Sequence, residues 1–64
     1  MIEIHTKKLV GMTEAQASIV IAAAGGKVNV TMEDGIPTVQ NTDFRMDRVN
    51  LELRGGRVTK AYIG

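Results

Sequence analysis

The sequence predicts an α+β fold: one α-helix packed on a small mixed β-sheet, with a long exposed loop between two parallel strands. A capped stretch over residues 14–24 repeats apolar residues at helical spacing, and the stretches 28–33, 47–54 and 57–63 read as strands bounded by turn residues. Between the first two strands lies a loop over residues 35–46, in which neither a period of two nor one of 3.6 persists from Ile36 to Asp43.

Taken in order, Ile2 and Ile4 alternate with polar neighbours and predict a short strand or ordered arm. Behind Leu9-Val10-Gly11, Thr13 precedes a run of helix formers and Gln16 follows three positions on, the reciprocal arrangement that satisfies the first free amides of a helix. Ala17, Val20, Ile21 and Ala24 then form one apolar stripe, and Gly25-Gly26 supplies the left-handed conformation that ends it. Val28, Val30 and Met32 alternate with Asn29, Thr31 and Glu33, so that one side of a half-buried strand faces the helix. Glu33-Asp34-Gly35 closes that strand with turn chemistry, and Pro37 removes a backbone donor from the loop that follows. Val49, Leu51 and Leu53 alternate again, against Asn50, Glu52 and Arg54, up to the hairpin glycines Gly55-Gly56. The short glycine turn makes the last strand pair antiparallel, whereas the long connection before it permits a parallel one.

Composition restricts the function. A chain of 64 residues, 44% hydrophobic and 23% charged, is one globular domain spanning 1–64. Domains of this size bury only about 60% of their unfolded surface, so a deep catalytic cleft is not expected. No nucleophile and base pair stands out to populate an enzyme site. Without cysteine there are neither disulfides nor thiolate metal sites, a composition that suits the cytoplasm and a disulfide-free secreted setting equally well. No apolar run is long enough to span a bilayer, and Met1–His5 lacks the apolar centre of a signal peptide, so the chain reads as soluble. A net charge of +1 with interspersed signs, and Phe44 and Tyr62 as the whole aromatic content, argue against nucleic acid as a partner. His5 has no second histidine or cysteine beside it. Glu33, Asp34, Asp43 and Asp47 match neither an acid and base pair nor a calcium loop, so no metal or cofactor is expected.

What remains is the stretch Thr38–Leu53, where a polar, loop-like run passes into a strand carrying Arg45 and Arg48 close behind Asp43. Charge-assisted hydrogen bonds from such arginines to Asp43 would hold the loop in one extended shape. An extended, stiffened loop is the form that a protease active site binds, and this points to a serine-protease inhibitor. The bland alternative is that the arginines are solvated charges of little energetic consequence.

The succession of Leu9-Val10-Gly11, capped helix, strand, loop and Thr42-Asp43-Phe44-Arg45-Met46-Asp47-Arg48-Val49 resembles the potato inhibitor I family of serine-protease inhibitors, which includes the barley chymotrypsin inhibitor and eglin, over most of the chain. Asp47–Leu53 is also similar to a group of short bacterial inhibitors, whose common cysteines are missing here. The resemblance implies a binding loop of Val39, Gln40, Asn41, Thr42, Asp43 and Phe44, gripped like substrate by a protease of subtilisin, chymotrypsin or elastase type. Thr42 would enter the primary specificity pocket, the scissile bond would be Thr42–Asp43, and Phe44 would lie on the leaving side. Arg45, Arg48 and Asn50 would brace the loop from beneath. Asn41 and Asn50 stand where the family commonly has a threonine and a further arginine, and Gly35–Asp43 is about two residues longer than the family's loop. The small, β-branched Thr42 suits a shallow or medium pocket, favouring elastase-like or subtilisin-like targets. The alternative is a non-inhibitory protein-interaction module on the same scaffold. A monomer is expected, although an exposed Ile2–Ile4 edge permits strand-mediated dimers.

Overall fold

The computed structural model describes residues 3–38 and 43–64. Helix α1 (Glu14–Ala23) begins as its residues predict: the Gln16 amide donates to Thr13 Oγ1 at 3.2 Å, and the Thr13 amide donates to Gln16 Oε1 at 3.0 Å. A cap of this kind is worth about 1 kcal/mol. At the other end the Gly26 amide reaches back to the Ile21 carbonyl and the Gly25 amide to that of Ala22, with Gly25 at φ 82°. This double closure needs a left-handed residue, which glycine adopts without strain.

The strands are β1 (Lys27–Glu33), β2 (Ile36–Pro37), β3 (Arg48–Arg54) and β4 (Arg57–Ile63), in the sheet order β2-β1-β3-β4. β3 runs parallel to β1 and antiparallel to β4, and β2 folds back antiparallel on β1. The protein is therefore one helix packed on a small mixed sheet. Val49, Leu51 and Leu53 of β3 join Leu9, Ala17, Ile21 and Val58 in the core, with Ile4, Val28, Val30 and Ala61 packed around them. Strand alternation sends Arg48 and Asn50 to the face away from this core, yet both are buried there as well. A central strand buried on both faces is the feature that positions the candidate site.

Several local expectations are revised. Ile2 lies outside the described residues, and Glu3–His5 form no strand; the chain enters a 3-10 helix at Thr6–Leu9, and Ile4 packs against the core without joining a ladder. Ile36 and Pro37, expected in the loop, pair with Glu33 and Met32 as β2. Proline is tolerated in this outermost strand, where its missing N–H interrupts no inner ladder. Thr31, expected on the polar side of its strand, is buried, at the point where the register between β1 and β3 shifts between Val30 and Met32. Its hydroxyl donates to the Leu51 carbonyl at 3.4 Å. Ala17 and Ile21 carry the buried side of α1, whereas Val20 is 39% exposed.

Candidate functional site

Arg48, the first residue of β3, is held with its side chain only 10% exposed. From that position Nε donates to the Gly64 carbonyl at 3.0 Å and Nη2 donates to the Asp43 carbonyl, while Nη1 lies 3.6 Å from Asp43 Oδ1. The Gly64 amide returns a bond to the Arg48 carbonyl at 3.1 Å. One planar guanidinium thus ties together the segment leaving the loop, the strand beneath it and the residue that follows β4. The fork of donors needed for this belongs to arginine and not to lysine. Asp43 is 63% exposed at its side chain, so the ion-pair component is partly solvated and the hydrogen bond to its carbonyl carries more of the tether.

Beside this tether, Asn50 Oδ1 accepts from Asn29 Nδ2 at 2.9 Å, joining β1 and β3 on the same face as Arg48. Phe44 is 71% exposed, and a Cβ at Gly64 would stand 3.5 Å from its ring carbons Cδ2 and Cε2 and 3.6 Å from Asn50 Nδ2. Asp43, Phe44, Arg45, Met46 and Asp47 line a shallow open depression of about 420 Å³. On the incoming side, the Thr38 amide donates to the Thr31 carbonyl at 3.1 Å and its hydroxyl donates to the Val30 carbonyl.

Arg45 is placed differently from Arg48. Among the described residues it forks onto Asp47, with Nε to Oδ1 at 3.1 Å and Nη2 to Oδ2 at 3.3 Å, at the surface. The Asp47 carbonyl in turn accepts from the Lys27 amide at 2.7 Å, so this pair fixes the start of β3 against β1. The hydrogen bond from Arg45 holds the Asp47 carboxyl below its ordinary range and raises the Arg45 guanidinium. A carboxyl whose folded pKa is depressed stabilises the fold above the unfolded value, near ~4, and that contribution disappears as pH falls through the folded value. Because the pair is exposed, the stability change below pH ~4 is expected to be small. An NMR titration of the Asp47 carboxyl should give a midpoint below that of Asp47 in the Arg45→Ala variant; identical midpoints would dissolve the pair.

Of the predicted site residues, Val39, Gln40, Asn41 and Thr42 lie outside the described residues. The structure brings Asp43, Phe44, Arg48 and Asn50 together around Gly64 and directs Arg45 to Asp47. The contributions of Thr38, Asn29 and Gly64 are not foreseen by the sequence reading. Asn29 and Asn50 occupy matching polar positions of two parallel strands, a signal visible once the register is known. Among the described residues no group of three or more His, Cys, Asp or Glu is placed to hold a metal ion. No protein-family model matches the chain, and no curated protein matches it.

Proposed function

We propose that this protein is a serine-protease inhibitor, presenting the loop around Thr42–Asp43 as a substrate-like segment to enzymes of the subtilisin, chymotrypsin or elastase type. The observation that carries the reading is the grip of the buried Arg48 on Asp43, the residue just beyond the proposed scissile bond. Two parallel strands, β1 and β3, flank the connection, and its outgoing end is fixed to the second of them.

The chemistry follows from that grip. The protease serine attacks the Thr42 carbonyl and releases the Asp43 amine. Because the Asp43 carbonyl stays bonded to Arg48, the amine remains beside the acyl-enzyme at high effective concentration, and religation competes with hydrolysis. Affinity comes from main-chain hydrogen bonds of an added strand and from a loop with little conformational entropy left to lose. Arg48 is positioned by burial and by Gly64; Asn50, held by Asn29, supports the same face. The test is titration against subtilisin, chymotrypsin and elastase with mass spectrometry of the mixtures. Stoichiometric loss of activity with slow cleavage after Thr42 is expected. Full activity of every enzyme, or rapid irreversible cleavage, would reject inhibition of these classes and leave a protein-interaction module on the same scaffold.

A further inference from the structure

We propose that Thr38 is a second positioning residue for the loop, an uncharged clamp on its incoming end that complements the charged clamp of Arg48 on its outgoing end. The functional meaning of this clamp rests on the inhibitor reading above. β2 pairs with β1 at Ile36 and Pro37 only, and Pro37 has no amide to offer. Thr38 extends the attachment past this point through two bonds to adjacent carbonyls: its amide to Thr31 and its hydroxyl to Val30. It is the last described residue before the segment 39–42.

The place of attachment matters. Val30 and Thr31 sit where β1 steps out of register with β3, and β1 is stitched to β3 there by the Thr31 hydroxyl on the Leu51 carbonyl and, one residue before Val30, by Asn29 on Asn50. Arg48, at the start of β3, pairs in register with Lys27 of β1. The incoming end is thus tied to β1, the outgoing end to β3, and the two strands are locked to each other between the ties. A loop clamped at one end retains the conformational freedom of its other end, and that freedom is lost on binding. Clamping both ends to the paired strands β1 and β3 would remove part of it in advance.

The two clamps differ in chemistry, which makes them separable. Arg48 acts partly through charge and weakens with salt, whereas the Thr38 hydroxyl bond is neutral and is not screened. Thr38→Val deletes the hydroxyl while keeping the branched shape; Thr38→Ser keeps the hydroxyl. With subtilisin, Thr38→Val is expected to shorten the half-life of the complex by about fivefold to tenfold, the consequence of one lost part-buried hydrogen bond. The loss should be the same at low and high salt, and Thr38→Ser should stay within about twofold of the parent. A merely structural role would move the urea midpoint and leave the half-life of the folded variant unchanged. Parental half-life in Thr38→Val, or equal losses in the valine and serine variants, overturns the proposal. Should the parent inhibit no enzyme, the inhibitor reading falls, and the same series read as plain substrates still decides the clamp. Faster cleavage of the valine variant than of parent and serine variant supports it; equal rates overturn it.

Discussion

On the proposed reading as a protease inhibitor, replacing Arg48 by alanine is expected to turn the protein into a substrate, shortening the half-life of the protease complex by about 10- to 100-fold, the loss of one or two hydrogen bonds from a charged donor. The side chain makes its bonds to Asp43 and Gly64 from beneath the surface, where water does not compete well. Without it, the Asp43 carbonyl is free to drift once the preceding bond is cut, the effective concentration of the amine falls, and hydrolysis overtakes religation. The fold should survive, because Val49, Leu51 and Leu53 keep their core contacts on the other face of the same strand. Half-life by dilution into a chromogenic substrate, the cleaved fraction by mass spectrometry and the urea midpoint separate the two effects. Arg48→Lys is expected to recover only part of the half-life, since an ammonium is a point donor and does not span two carbonyls in one plane. An alanine variant that inhibits as long as the parent removes Arg48 from the mechanism.

The parts of the fold that are legible in the sequence are those whose signal is local. Thr13 and Gln16 announce the helix start, Gly25-Gly26 its end, and Val49, Leu51 and Leu53 a core strand, because each rests on residues a few positions apart. What escapes depends on partners far along the chain. Thr31 is buried where β1 shifts register against β3, a place set by a strand about 20 residues away, and β2 is a strand only because β1 offers Met32 and Glu33 as partners to residues with weak strand character of their own. The same division applies to the site. The proximity of Arg48 and Asp43 in sequence suggests their pairing, whereas Asn29 meeting Asn50 and Gly64 meeting Arg48 are long-range contacts set by sheet order. Arg45 and Arg48 look alike in the sequence, but the first sits at the surface next to Asp47 and the second is drawn under the strand, so their roles diverge.

Leu51→Ala is expected to have the largest effect on stability of any single truncation here, about 2–5 kcal/mol, the range for deleting a fully buried leucine side chain. Leu51 is 0% exposed at the middle of the central strand, paired with Val30 on β1 and Ala61 on β4 and packed in the cluster with Ala17 and Ile21 of the helix. A cavity there has little room to collapse, since sheet neighbours fix the backbone on both sides. At about 0.05–0.15 kcal/mol per residue a domain of this length holds only ~3–10 kcal/mol in total, so the loss consumes much or all of it. Ile19→Ala is the control: Ile19 is 72% exposed on the same helix that covers the core, and its truncation should change stability by less than about 0.5 kcal/mol. Urea unfolding followed by circular dichroism measures both. Equal midpoints for the two variants would mean that the apolar side of β3 is not the core. The comparison with Arg48→Ala then divides the strand into its two faces: truncation on the Leu51 side is expected to remove the proposed inhibition by unfolding the scaffold, whereas truncation on the Arg48 side is expected to shorten the complex half-life with the scaffold still folded.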